Sequence, residues 1–328
     1  MEAILEVQGL GTHFETERGV VRAVDDVDLR VEAGGTVGIV GESGCGKTVL
    51  ALSILRLVPT PPGRIVAGRV LFNGRDLLRL PLEEMRKVRG REISMIFQEP
   101  MTSLNPVFRI GEQIAEVIRL HQGMDRKSAH GRSVEMLRMV GIPSPEKRAA
   151  DYPHQMSGGM RQRVMIAIAL ACRPRMMLAD EPTTALDVTI QAQMIDLIGC
   201  LRRETGAAVV LITHDLGVVA ETAENVAVMY AGQIVEQGPV RELFSSPLHP
   251  YTRGLMASVP RMNGPIGREV FLKAIAGAVP PLYNLPAACR FQDRCPHVFA
   301  LCRERAPLLE RIAPEHACRC WLHVKPDG

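Results

Sequence analysis

Residues 41–48 read GESGCGKT, three glycines with a lysine and a threonine set between the apolar runs TVGIV and VLALSILRLV. Glycines let successive backbone N–H groups turn inward with no Cβ in the way, which builds an anion nest at the start of a helix. A lysine beside that nest meets β- and γ-phosphates, and the neighbouring hydroxyl is an oxygen donor for Mg²⁺. Gly41, four residues, then Gly46, Lys47 and Thr48, with a strand-like run before and a helix-like run after, predict a loop for a nucleoside triphosphate. Glu42, Ser43, Gly44 and Cys45 complete that loop.

Three further stretches supply groups that phosphate chemistry needs. RMMLADEP is an apolar run ending in Asp180 and Glu181. Asp180 is placed to hold Mg²⁺ through water, and Glu181 beside it to polarise an attacking water as general base. The same Asp-Glu-Pro is also good turn chemistry, so the pair gains its meaning from the loop upstream. In QMSGGMRQRVMIAIAL, Ser157, Gly158 and Gly159 stand where a long helix begins, giving a serine cap and N–H groups suited to a phosphate. His214 follows the apolar run AAVVLIT, at the end of a strand where α/β proteins bind ligands.

Positioning these groups requires strands that end together. Residues 1–97 read as short strands, the glycine loop, a helix and more strands; residues 99–165 take helical spacing (GEQIAEVIRLHQ, SVEMLRMVGI). From 174 the strand–helix alternation returns. The pattern predicts an α/β fold with a largely parallel sheet, a helical subdomain inserted at about 99–165, and a boundary near residue 240. Beyond it, residues 241–328 are Pro-rich, short of long periodic segments, and read as a small irregular appendage.

Composition bounds the function classes. Across 328 residues, 46% are apolar and 23% charged, which is ordinary for a globular protein, and the net charge of +3 gives no footprint for nucleic acid. The apolar runs fall short of the roughly 18 residues a membrane span requires, and no basic-then-apolar leader opens the chain. The expectation is a soluble, cytoplasmic protein whose membrane role, if any, comes through a partner.

In order along residues 1–240 the chain carries a Walker A loop (GESGCGKT), a Q-loop glutamine, Gln98 in FQEP, a signature (MSGGM), a Walker B strand (MMLADE), a D-loop (ALD, ending at Asp187) and the switch histidine His214. In this it resembles the ATPase subunits of ABC transporters. The signature departs from the usual LSGGQ at both ends but keeps Ser157, Gly158 and Gly159. The resemblance implies a P-loop NTPase (RecA-like) core that binds ATP and Mg²⁺, the metal being held through Thr48, Gln98 and Asp180, with Glu181, His214 and Gln98 serving hydrolysis. It places Phe14 on the adenine ring, although a strand phenylalanine is an equally good core residue. It implies a head-to-tail pair of ATPases, the signature of each acting on its partner's ATP. The second ATPase is expected to be non-identical, with two transmembrane permeases and, indirectly, a solute-binding protein. The chain would then lie on the cytoplasmic face of the membrane, with the helical block and EPMTSLNP meeting the permease.

Five of the eight cysteines fall in the last 40 residues. Cys289, Cys295 and Cys302, then Cys320, offer four thiolates for Zn²⁺ or an iron–sulfur cluster, and spacing does not choose between them. This segment (PLHPYTRGL, LPAACRFQDRCPHVFALC, EHACRCWL) resembles the C-terminal extension of oligopeptide/dipeptide-type ABC ATPases, where four cysteines go with a [4Fe–4S] cluster. The resemblance assigns Cys289, Cys295, Cys302 and Cys320, with Cys318 as rival for the fourth position. It also makes peptide import the expected role, with nickel or another small solute as the alternative cargo. A chromosome- or ribosome-type ATPase fits less well: about 110 residues separate Gly46 from Ser157, without sustained heptads, and the chain holds one cassette. A non-hydrolysing regulatory partner is disfavoured by the presence of Glu181 and His214.

Overall fold

The computed structural model describes residues 2–98, 103–183, 188–258, 275–283 and 285–323, with the backbone alone at 188–189. Their strands, in chain order, are β1 (Ala3–Thr16), β2 (Gly19–Glu32), β3 (Thr36–Val40), β4 (Gly63–Phe72), β5 (Arg75–Asp76), β6 (Ile93–Ile96), β7 (Met176–Asp180), β8 (Ala208–Ile212), β9 (Asn225–Tyr230), β10 (Gln233–Pro239), β11 (Glu310–Ala313) and β12 (His316–Cys318). The chain forms two compact units, one of residues 1–4, 31–36 and 79–212, the other of 5–30, 37–78 and 213–328.

The first unit is built on parallel strands. β6 pairs with β7 from Ile93↔Met176 to Ile96↔Ala179, and β7 pairs with β8 from Met176↔Ala208 to Asp180↔Ile212. All five residues of β7 are buried, as are all five of β8, which is why both read as unbroken apolar runs rather than alternating ones. The expected helical block is present. Helix Ile110–Gln122 buries Ile110, Ile114, Ala115 and Ile118, one stripe at helical spacing, and stops at Gly123, which takes a left-handed φ of 67°. Helix Arg126–Met139 starts on Asp125, whose carboxylate accepts from Lys127 N at 2.9 Å and Ser128 N at 3.1 Å. Helix Gly158–Leu170 buries Val164, Met165, Ile166, Ala167, Ala169 and Leu170, so it is the central element of the block.

The second unit is mostly antiparallel. One sheet has the order β2-β1-β4-β5, with β1 and β4 in register from Leu5↔Phe72 to Phe14↔Gly63. In the other ladder set β3 runs parallel to β9 (Val37↔Asn225 to Val40↔Val228), and β10, β12 and β11 are added antiparallel. The switch of direction has a local cause. Ala231 and Gly232 both take positive φ, 45° and 84°, which makes the two-residue turn that matches the twist of an antiparallel hairpin. The parallel character expected for the whole sheet is thus concentrated in the first unit and in the β3–β9 pair. The C-terminal stretch, expected as an appendage, returns to this ladder: Cys318 pairs with Glu236 and Ala317 with Gln237.

Buried Glu236 fastens that return. Its carboxylate accepts from Leu248 N at 2.7 Å and His249 N at 2.9 Å, and His316 Nε2 lies 2.8 Å away. Arg319 donates to Ile234 O and to the Asp26 carboxylate at 3.0 Å, and Arg290 bonds Asp25. Glu236, Arg290 and Arg319 therefore each have a partner, as burial demands.

Candidate nucleotide site

In the second unit, β3 runs into residues 41–46 and the loop closes on helix Lys47–Ile54. Gly46 sits at the helix start with φ 107°, and a Cβ there would stand 2.0 Å from Ala23 O. A Cβ at Gly41 would stand 2.2 Å from Met229 O. Both positions accept only glycine, because backbone already fills the space a side chain would need. Lys47 is 5% exposed, and its Nζ donates to Gly41 O at 2.8 Å and Glu42 O at 3.1 Å, so the ammonium is held at the loop rather than in solvent. Thr48 is half-buried in the first turn, while Ser43 and Gly44 are exposed. Cys45 is fully buried, and burial pushes its thiol pKa up, which keeps it an inert packing group.

Phe14 lies half-buried on β1 opposite Gly63, where its ring occupies the space a Cβ of Gly63 would take. His214 is exposed two residues beyond β8, followed by Asp215, which caps helix Leu216–Thr222 by accepting from Gly217 N at 2.8 Å.

In the first unit, Asp180 ends β7 and is 1% exposed. Glu181 follows in a left-handed conformation, φ 44°, its N–H bonded to Ile212 O at 2.9 Å. A non-glycine residue held there is costly and marks a position fixed by its surroundings. Gln98 Nε2 donates to Glu181 Oε2 at 3.1 Å, so the structure brings together two residues 83 positions apart that the sequence singled out. Ser157 is exposed and caps helix Gly158–Leu170, with Met160 N donating to its Oγ at 3.3 Å. Gly158 has open space around its Cα, whereas a Cβ on Gly159 would stand 3.2 Å from Ile190 Cγ2. Asp187 and the stretch 99–102 lie outside the described residues.

The C-terminal thiols are neighbours. Cys289 N donates to Cys302 O at 3.0 Å, and Cys295, Cys302 and Cys320 lie close enough that a thiolate on any of them would disfavour a second one on Cys289. Burial is the main cause pushing the Cys289 thiol up to about 12. Cys318 and Cys320 share a hydrogen bond that lowers Cys320 to about 7 and raises Cys318. Among the described residues, however, no group of three or more His, Cys, Asp or Glu side chains stands in a metal-holding arrangement. The donor set for a cluster is gathered, then, but not converged. Sequence reasoning missed Tyr251 and Arg294, which bond the backbone and side chain of Glu42 from the C-terminal stretch. With separations of 209 and 252 positions along the chain, no local spacing could have announced them.

Two family models match the chain. One, described as ABC transporter, covers residues 24–184, and the other, described as oligopeptide/dipeptide transporter, C-terminal region, covers 235–302. The probable peptide ABC transporter ATP-binding protein y4tR of Sinorhizobium fredii is 54% identical, over 98% of this chain and 95% of its own. The chain belongs to the ABC transporter ATP-binding proteins. Within that family the oligopeptide transport ATP-binding protein AppD of Bacillus subtilis is 50% identical over 98% of both chains, and the dipeptide transport ATP-binding protein DppD of the same organism 48% over 98% and 95%. Among solved structures, the ATP-binding cassette MJ0796, a dimer in a post-hydrolysis state bound to ADP and Pi, aligns with a TM-score of 0.65 at 28% identity, over 72% of this chain and 99% of that one. This ABC protein is therefore an ATPase with a P-loop NTPase fold. Among its described residues no helix is long and apolar enough to cross a membrane.

Proposed function

We propose that the chain is the ATP-hydrolysing subunit of a peptide importer, working at the cytoplasmic face of a membrane. The observation that carries this reading is the pairing of two features in one chain: the cassette motifs in order, and a C-terminal region matching that of oligopeptide/dipeptide transporters. Relatives of nearly full length named for peptide, oligopeptide and dipeptide transport support the cargo class.

In this reading the loop N–H groups and Lys47 cradle the β- and γ-phosphates, Glu181 takes a proton from the attacking water, and Gln98 orients Glu181 through the bond between them. His214 acts at the γ-phosphate, and Phe14 stacks on adenine. Mg²⁺ neutralises charge on the triphosphate; Thr48, Gln98 and Asp180 offer the oxygen donors a hard cation takes. Ser157, Gly158, Gly159 and Asp187 act on the ATP of a partner ATPase, which is a related, non-identical chain. The exposure of Ser157 and Gly158 is consistent with a surface kept for that partner.

The helical block docks on a permease, one of the two in the assembly. Phe108, Arg109, Glu112, Arg119 and Glu146 line a cleft of about 520 Å³ there, with Phe108 52% and Val107 71% exposed beside it. A solute-binding protein delivers cargo to the permeases from the other face. The residues after about 240 form the family-specific extension, in which Cys289, Cys295, Cys302 and Cys320 hold a [4Fe–4S] cluster, or Zn²⁺ in its place. Iron and acid-labile sulfide near four per chain after anaerobic purification would support the cluster, and stoichiometric zinc would remove it.

The test of the importer reading is reconstitution of the chain with its permeases, second ATPase and binding protein in vesicles. Uptake of di- or oligopeptides should require ATP and stop with Lys47→Ala. ATP hydrolysis that responds to no peptide, with none accumulated, would overturn the cargo assignment.

A further inference from the structure

The phosphate loop is gripped from outside its own strand and helix. Glu42, the second residue of the loop, is bound twice by residues of the C-terminal stretch. Its N–H donates to the Tyr251 hydroxyl at 2.9 Å. Its carboxylate receives a two-pronged guanidinium: Arg294 Nη1 lies 2.7 Å from Oε2 and Nη2 lies 3.0 Å from Oε1.

Arg294 is itself locked. Its side chain is 4% exposed, its Nε donates to Ala276 O at 3.0 Å, and its guanidinium lies 5.7 Å from the Tyr230 ring centre and 6.0 Å from that of Phe291. Tyr230, Tyr251 and Phe291 form one aromatic cluster, with centroid separations of 4.6, 5.2 and 5.5 Å. The bond to Glu42 is the main cause that raises the arginine's pKa, so the fork stays fully charged. A rigid, bidentate, solvent-excluded arginine fixes geometry as well as charge.

Glu42 O is also one of the two carbonyls that hold Lys47 Nζ, at 3.1 Å. The path from Arg294 to the ammonium is therefore short: guanidinium, Glu42 carboxylate, Glu42 backbone, Lys47. Displacing the first shifts the peptide unit that sets the last.

We propose that Arg294 and Tyr251 are positioning residues for ATP binding, the C-terminal region holding the phosphate loop in its nucleotide-ready shape through Glu42. This rests on the reading of residues 41–48 as the phosphate loop. It gives the C-terminal region a task in the ATPase itself, and Arg294, with Phe291 packed in the aromatic cluster beside it, lies on the short segment between Cys289 and Cys295.

The experiment is equilibrium binding of a non-hydrolysable ATP analogue with Mg²⁺ to the full chain, alongside melting curves without nucleotide. Arg294→Gln should raise Kd roughly tenfold, the scale of a lost coupling between sites. Glu42→Gln should do the same, and the double variant should be no weaker than either single one, because the two side chains act as a unit. Arg294→Lys, which keeps the charge but not the fork, should recover only part of the affinity. Tyr251→Phe, which removes a single oxygen and keeps the ring, should raise Kd severalfold and covers the case in which Arg294→Gln does not fold.

A purely structural ion pair would lower the melting temperature while leaving Kd within about twofold of wild type in the folded variants; that result overturns the proposal. Lys47→Ala separates the two readings. If it weakens binding strongly while Arg294→Lys and Tyr251→Phe do not, the brace is wrong and the loop assignment stands. If Lys47→Ala binds normally, both fall.

Discussion

At the phosphate loop, backbone packing leaves no room for a Cβ at Gly41 or Gly46, Lys47 is 5% exposed, and Glu42 is bonded by Tyr251 and Arg294. At the end of β7, Glu181 is half-buried, takes a left-handed backbone, and meets an exposed Gln98 at 3.1 Å. The first region is a cradle whose work is to keep one shape. The second carries the residue proposed above as general base, a role that requires it to reach water and change partners within a cycle, so its side chain cannot be packed away. Rigidity and access are divided between the two regions because one set of contacts cannot supply both.

The largest effect should come from the accessible side. Glu181→Gln keeps size and the capacity to bond Gln98 but removes the base, and turnover should fall by roughly 10²–10⁴-fold. Nucleotide affinity and the melting temperature should stay close to wild type. Single-turnover hydrolysis with parallel ATP binding checks this; near-normal kcat would reassign the base and dissolve the contrast between cradle and catalyst.

On the braced side the expected losses are in stability. Glu236 is fully buried and accepts from two backbone N–H groups with His316 Nε2 beside it, tying β10 to the start of helix Pro250–Ala257 and to β12. Glu236→Ala leaves those donors without an acceptor and should cost about 3 kcal/mol. Urea unfolding measures it, and a loss under about 0.5 kcal/mol, the level of an ordinary surface change, would mean that the return of the C-terminal stretch is not what holds this region.

How much of this was legible depends on how far apart the cooperating residues lie in the chain. The loop, the Asp180–Glu181 pair and the serine cap at Ser157 are each written within about eight residues, and their chemistry is local: a left-handed glycine, a strand end, a helix start. The buried runs MMLAD and AVVLI announced strands covered on both faces. The antiparallel half was less visible, since its direction is set by a two-residue turn at Ala231–Gly232 inside one apolar stretch. The braces on Glu42 were invisible for a different reason. Tyr251 and Arg294 carry no periodic or motif signal of their own, and only tertiary packing brings them to the loop. The cysteines were legible as a set, but spacing carries no information on whether they converge.

A third test concerns charge in the same braced region. His249 is buried, its ring accepts from Tyr251 N at 3.0 Å, and burial, with the nearby His323 and Arg253, lowers its pKa from 6.5 to about 3. It is neutral in the fold, whereas the unfolded chain takes up a proton below about 6.5. Between pH 6.5 and 3 the unfolded state thus binds more protons, and stability falls as pH falls, by about 1 kcal/mol per unit between pH 6 and 5. Above pH 6.5 the effect is absent. His249→Asn keeps an acceptor for Tyr251 N and should flatten the dependence in that window. If wild type and variant lose stability in parallel from pH 6 to 5, the ring is hydrated and the region is less tightly closed than its burial indicates.

The smallest effect should come from Ser157, which tests whether the accessible side contributes to stability at all. Its Oγ accepts from Met160 N at a long 3.3 Å, at the start of a helix whose far side is deeply buried. Ser157→Ala should therefore cost only ~0.5–1 kcal/mol, the lower end for a lost cap, and Ser157→Asn should restore it. Thermal melting of the isolated chain resolves a difference of that size. A loss of several kcal/mol would show that Ser157 is a structural keystone rather than a surface held open for a partner's nucleotide. The two regions would then differ in degree and not in kind.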